Sequence, residues 1–122
     1  MNADPFAERL AKVQHRFVST LAGKIEDAHG AASNLSAASA AGPASVAETY
    51  RSMHGIVGIG PTVGFPSTGR AAREVEDVLR SPHRDGRALT CEEVSLFMTR
   101  LQALREVATR ELELFHATAV AE

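Results

Sequence analysis

The sequence has a single cysteine, Cys91, which excludes an internal disulfide and a cysteine-built zinc knuckle. Cys91 reads as a small apolar filler or an exposed first-turn residue. No run of about 18 apolar residues occurs, so no membrane-spanning helix is expected. The first residues, MNADPFAERLAKVQ, are polar and amphipathic and have no apolar stretch of signal-peptide type. A cytoplasmic location is the expectation. No Lys/Arg cluster stands out, and 13 basic residues against 15 acidic ones give a formal net charge of -2. That balance leaves no electrostatic footprint for nucleic acid or an anionic membrane. The glycine-rich stretch GIVGIGPTVG lacks the Lys-Ser/Thr that holds phosphates in a nucleotide loop, and no strand precedes it. A Ser/His/Asp arrangement at a strand-to-helix elbow is also missing, so neither ATP binding nor hydrolytic chemistry is expected. What remains is a chain of 122 residues, 44% apolar and 23% charged, which is the composition and size of one globular domain spanning residues 1–122.

The periodicity is helical throughout. Asp4-Pro5 reads as an N-cap followed by proline at the first helical position. Phe6, Leu10, Val13, Phe17, Leu21, Ile25 and Ala28 then recur at three- and four-residue steps, predicting a long first helix with these residues facing a core. Residues 31–44 are rich in Ala, Ser and Gly and read as a fraying helix end and a turn, with Gly42-Pro43 as a breaker. A second helix is predicted from Ala44 or Ser45, with Val46, Thr49, Met53, Ile56 and Gly60 inward. Pro61 and Gly64 should disturb and then stop it. Pro66 opens a third helix expected to run to about Arg80, with Thr68, Ala72, Val75 and Leu79 inward, and SPHRDGRAL is read as the following turn. Thr90 and Glu93 form a capping box for a final long helix whose apolar stripe is Val94, Phe97, Met98, Leu101, Leu104 and Ala108. Four amphipathic helices with short turns predict an all-α fold, an antiparallel four-helix bundle with a long N-terminal helix.

The unusual chemistry lies around His54. It follows the inward Met53 by one residue and precedes the inward Ile56 by two, so its side chain should emerge at the edge of the buried stripe and be reachable from solvent. Gly58, one turn on, lies beside it on the same face. A helix-interior glycine costs about 1 kcal/mol relative to alanine, and here it removes any side chain that would obstruct a large partner approaching the imidazole.

This segment resembles the signature of histidine-phosphotransfer domains of two-component phosphorelays. In that pattern the acceptor histidine is followed by an aliphatic residue at +2, glycine at +4, a small residue at +6 and glycine at +10, here Ile56, Gly58, Gly60 and Gly64. An aliphatic-Glu pair at +21 and +22, Val75-Glu76, fits as well, and the resemblance covers nearly the whole chain, on a branch with a long first helix. It implies that His54 accepts a phosphoryl group on Nε2 while Glu76 accepts a hydrogen bond from Nδ1–H. A carboxylate there would fix the reactive tautomer and raise ring basicity. It further implies a phosphocarrier without catalytic activity of its own and without a bound cofactor. Its partners would be response-regulator receiver domains, which supply Mg²⁺, with a hybrid sensor histidine kinase as a further candidate. A transient partner site suggests a monomer. Docking is expected on Tyr50, Arg51, Val57, Gly58 and Pro61, an apolar floor with a basic rim. Two departures stand out: Val57 occupies the +3 position where the family commonly has Lys, and Pro61 stands at +7. Arg51, Arg70 and Arg73 are the candidates to replace the missing positive charge.

Two other readings use the same residues differently. A phosphorylation-independent adaptor of the same fold would bind a kinase or receiver and regulate it by occupancy, a reading kept open by Val57. Alternatively, the pairs Glu26/His29 and Glu113/His116 have the i, i+3 spacing of a dinuclear metal site in a bundle. Ile25, Ala28, Leu112 and Phe115 compete with them for the inward positions, and no metal is expected. His15 and His83, the latter placed in a turn, are expected to face solvent.

Overall fold

The computed structural model describes residues 4–121, with side chains through Thr118. Four helices pack into a bundle: α1 (Pro5–Ala31), α2 (Gly42–Ile59), α3 (Pro66–Asp85) and α4 (Cys91–Ala121), with single 3-10 turns at Ala32–Asn34 and Pro61–Val63. α1 packs on α2 and α4, and α3 packs on the same two helices from the other side. No strand occurs among the described residues; their only β-pairing is an isolated bridge between Ser36 and Leu89. None of their helices is long and apolar enough to cross a membrane.

Three of the four helices start where a side chain satisfies their first N–H groups; α2, after Ala41, has no such cap. Asp4 Oδ1 accepts from the Phe6 N–H at 3.0 Å, with Pro5 behind it. At α4, the Thr90 N–H donates to Glu93 Oε1 at 2.9 Å and the Glu93 N–H donates to Thr90 Oγ1 at 3.1 Å, the reciprocal capping box. α3 is capped from across the bundle: Glu111 of α4 accepts from the backbone N–H groups of Ser67 (3.3 Å) and Thr68 (2.6 Å), which satisfies donors that α3 itself cannot.

The core is built from the inward positions of all four helices. Val46, Thr49, Met53, Ile56 and Gly60 of α2 are all buried, as are Thr68, Ala72, Val75 and Leu79 of α3. α4 buries Phe97, Leu101, Leu104 and Ala108, while Val94 and Met98 lie half-buried at its edge. α1 departs from expectation. Its buried residues begin only at Phe17 and continue through Leu21, Ile25 and Ala28, whereas Phe6 is 71% and Val13 41% exposed. The cause is length: 27 residues of helix reach about 40 Å, against about 27 Å for the 18 residues of α2, so the start of α1 extends beyond its neighbour.

Three further corrections concern helix ends. α2 begins at Gly42, not at Ala44 or Ser45, because Pro43 is accommodated in the first turn rather than breaking the chain. α3 runs through Pro82 to Asp85, five residues past Arg80. Proline forfeits one helical N–H, but Pro82 is buried, and Gly86, in the left-handed conformation at φ 64°, closes the helix with the Arg87 N–H donating to the Pro82 carbonyl at 3.0 Å. Third, the stretch between α1 and α2 is not merely a turn. Leu35 and Leu89 are both essentially fully buried and joined by a Leu89 N–H to Leu35 carbonyl bond of 2.8 Å, which ties this connection to the α3–α4 turn.

The start of α4 carries a pH-dependent contribution. Arg87 grips both oxygens of Glu93 at 2.8 and 3.1 Å, and this hydrogen bonding, with the Thr90 cap, holds the Glu93 carboxyl at about 2 instead of 4.5. A folded value below the ordinary one means stability that is fully present above about pH 5 and is lost as the pH falls through about 2. Glu93→Gln is expected to destabilise the chain by about 1 kcal/mol at neutral pH and to flatten the acid limb of the stability profile. Urea denaturation midpoints between pH 7 and pH 2 read this directly; parallel profiles for the variant and the parent would contradict it.

Candidate functional site

His54 projects from the solvent shoulder of α2, where the inward Met53 and Ile56 fix the helix rotation and leave the imidazole 67% exposed. Its Nδ1 lies 2.5 Å from Oε2 of Glu76 on α3. Glu76 sits beside the buried Val75 and is itself only 3% exposed. An ionised carboxylate only accepts, so Nδ1 is the donor in this contact, and in the neutral ring Nε2 carries the lone pair. No protein group among the described residues hydrogen-bonds Nε2. The arrangement is therefore an oriented imidazole with Nδ1 held by the carboxylate and its other nitrogen, Nε2, left for a partner.

The carboxylate has a second partner. Arg80, one turn along α3, donates from Nη2 to Glu76 Oε1 at 3.0 Å, and its Nη1 forms an ion pair with Asp77 Oδ1 at 2.8 Å. Each Glu76 oxygen thus has its own donor, Oε2 the imidazole and Oε1 the guanidinium. Tyr50, one turn before His54, stacks on the imidazole (centroids 5.8 Å apart, planes 12° from parallel) and on His83 of α3 (4.4 Å, 17°). His83 is therefore a half-buried helical residue, not a solvent-facing turn residue, because α3 continues through Pro82.

The glycines around His54 do different work. A Cβ on Gly58 would meet nothing within 4 Å, and the same holds for Gly55. Packing gives no reason for either. At Gly60 a Cβ would stand 2.8 Å from the Ile56 carbonyl oxygen and 3.2 Å from that of Phe65, and at Gly69 it would stand 2.8 Å from Cδ of Pro61. These two let the end of α2 and the start of α3 approach closely. Gly64 adopts φ 97° and turns the chain into α3.

The expected docking residues lie around this shoulder. Gly58, Pro61 and Arg51 are exposed, and Tyr50 and Val57 are half-buried against the core. Arg70 is exposed and donates to Ser67 Oγ at 3.0 Å; Arg73 is exposed. The cation in contact with the His54–Glu76 pair is Arg80 rather than Arg51, Arg70 or Arg73. Glu76 and Arg80 have the i, i+4 spacing of a helical ion pair, a signal that was available in the sequence. Beyond Gly55, Val13 and Ile59 remain about two-fifths exposed over a shallow cleft floored by Phe17 and rimmed by Arg16 and Lys24.

The two Glu-x-x-His pairs do not build a metal centre. Glu26 is engaged by Arg105 at 2.9 Å, Glu113 and His116 are exposed, and among the described residues no three His, Cys, Asp or Glu side chains come together as ligands. His15 is exposed, and Cys91 is exposed in the first turn of α4.

No protein-family model matches the chain, and no curated protein or solved structure is significantly similar to it.

Proposed function

We propose that the chain is a phosphorelay intermediate that carries a phosphoryl group on His54 Nε2 between receiver-domain aspartates. The observation that supports this most is the division of the imidazole: Nδ1 held by the buried Glu76 and Nε2 presented to solvent. The Nε2 lone pair attacks the phosphorus of an aspartyl phosphate on the partner. The N–P bond forms as the P–O bond to the aspartyl carboxylate breaks, and that carboxylate leaves. The ring gains positive charge but keeps its Nδ1 proton, and Glu76 offsets the charge without any proton having to move. Return to a second receiver aspartate is the same step reversed.

In this reading the bundle supplies exposure and orientation, and the receiver supplies Mg²⁺ and most of the transition-state stabilisation. The chain is then a cytoplasmic carrier and not an enzyme in its own right, working as a monomer on receiver domains, including that of a hybrid sensor kinase. A convex, solvent-exposed acceptor suits a macromolecular donor better than a small molecule, which would need a concave site.

The second reading is the phosphorylation-independent adaptor, favoured by one observation: Val57 places no cation beside the acceptor nitrogen. Incubation with a labelled, phosphorylated receiver domain separates the two. A relay intermediate takes up label that is acid-labile and alkali-stable, as a phosphohistidine is. Stable binding with no label transferred would replace the relay with the adaptor.

A further inference from the structure

We propose that Arg80 is a positioning residue for His54: by binding Oε1 of Glu76 it reserves Oε2 for the imidazole, and it places beside the buried carboxylate the cation that Val57 does not provide beside the ring. The consequence for transfer rests on the acceptor role proposed for His54; the positioning itself does not.

Three observations carry the inference. First, Glu76 is 3% exposed, and its carboxylate has two partners in the site, the His54 ring and Arg80. A buried carboxylate held by the imidazole alone would be free to rotate about its last bond, and either oxygen could then meet the ring; a donor fixed on Oε1 removes that freedom. Second, Arg80 is itself fixed. Its Nη1 is bound to Asp77 at 2.8 Å while Nη2 reaches Glu76 at 3.0 Å, so two neighbouring carboxylates of α3 share one guanidinium. Asp77 foremost, with Glu76 and Tyr50 also contributing, raises the Arg80 guanidinium above its ordinary value, so its charge is permanent. Third, the charge is needed at that place. When the neutral ring faces Glu76 the pair carries one negative charge in a buried position, and Arg80 neutralises it without competing for Nδ1. Arg51, Arg70 and Arg73 have no hydrogen bond or ion pair to the His54–Glu76 pair among the described residues.

Lysine is a poor substitute here, because its single ammonium cannot span both carboxylates as the planar guanidinium does. Arg80→Lys should therefore restore charge but only part of the geometry.

The test uses the full chain in two measurements. In the free protein, the Nδ1 proton of His54 is followed by ¹H–¹⁵N NMR as a downfield resonance of the ring–carboxylate hydrogen bond, with circular dichroism and thermal unfolding as the control for folding. Arg80→Gln is expected to broaden or shift this resonance upfield with the helical content unchanged, and Arg80→Lys to give an intermediate spectrum. In transfer from a phosphorylated receiver, Arg80→Gln is expected to lower the maximal rate about tenfold with the half-saturating receiver concentration unchanged, and Arg80→Lys to recover part of it. An Nδ1 resonance identical in Arg80→Gln and the parent would overturn the proposal. So would a transfer defect expressed only in the half-saturating concentration, since that would make Arg80 a docking contact. If the parent accepts no label at all, the relay reading fails, while the NMR comparison still decides whether Arg80 positions the pair.

Discussion

Phosphoryl transfer to the chain is expected to disappear in His54→Gln and to slow ten- to a hundredfold, about 1.4–2.7 kcal/mol in barrier, in Glu76→Gln. The difference separates the acceptor from the group that orients it. His54 is largely exposed, so glutamine in its place removes the nucleophile with little effect on packing. Glu76→Gln preserves shape but changes the bond to the ring. If the amide presents its oxygen, it accepts the Nδ1 proton without a charge to offset the developing imidazolium. If it presents its NH₂, it donates to Nδ1 and drives the proton onto Nε2, where it occupies the attacking lone pair. Both outcomes slow transfer. Loss of the buried charge also weakens the hold on Arg80, and a decrease in stability of about 1–3 kcal/mol is expected. Single-turnover transfer from a phosphorylated receiver measures the rates. An unchanged rate in Glu76→Gln would remove Glu76 from the chemistry.

Gly58→Ala and Gly60→Ala, two residues apart on α2, are expected to change stability in opposite directions. A Cβ at position 58 has nothing within 4 Å, so alanine there adds helix propensity and stabilises the chain by up to about 1 kcal/mol. A Cβ at position 60 stands 2.8 Å from the Ile56 carbonyl oxygen of α2 itself and 3.2 Å from that of Phe65, so the backbone at the α2–α3 corner must shift to admit it. A loss of about 1–3 kcal/mol follows. Urea unfolding of the two variants beside the parent reads both signs. Gly58 then has a second arm. Gly58→Leu should keep its stability and lose transfer, because the branched side chain rises beside the acceptor nitrogen on the face a receiver must approach. Unchanged transfer in that stable variant would refute the view that Gly58 keeps the approach open.

Most of the bundle was legible because its inward residues obey the 3.6-residue period without interruption. The stripe of α2 from Val46 to Gly60 and that of α3 from Thr68 to Leu79 are buried as spaced, and the Thr90/Glu93 cap forms as its residue types require. What escaped was set by tertiary context. Phe6 and Val13 continue the apolar spacing of α1, but periodicity identifies only the face of a helix and not whether a neighbour is long enough to cover it. Pro82 looks like a terminator locally, and only burial against the core and the Gly86 cap after it explain why α3 continues. Leu35 sits in a stretch of Ala, Ser and Gly with no periodic partners, so its pairing with Leu89 has no local signature. The cap that Glu111 places on α3 joins residues more than forty positions apart.

The site divides in the same way. The edge position of His54 followed from the α2 stripe, and its pairing with Glu76 followed from the family resemblance. The choice of Arg80 over Arg51, Arg70 or Arg73 did not. Its signal was the i, i+4 spacing of Glu76 and Arg80 within α3, which is independent of where His54 lies on α2. The stack of Tyr50 on His83 depends in turn on the extra turn of α3 that the proline obscured.

The claim that His54 is oriented by Glu76 through Nδ1 and reacts through Nε2 is tested most directly by ¹⁵N-labelling the chain, incubating it with a phosphorylated receiver domain and recording long-range ¹H–¹⁵N spectra of its five histidines. The account predicts that His54 alone changes, that phosphorus couples to Nε2, and that Nδ1 keeps its proton throughout. Phosphorus on Nδ1, on another histidine, or on none of the five would contradict it.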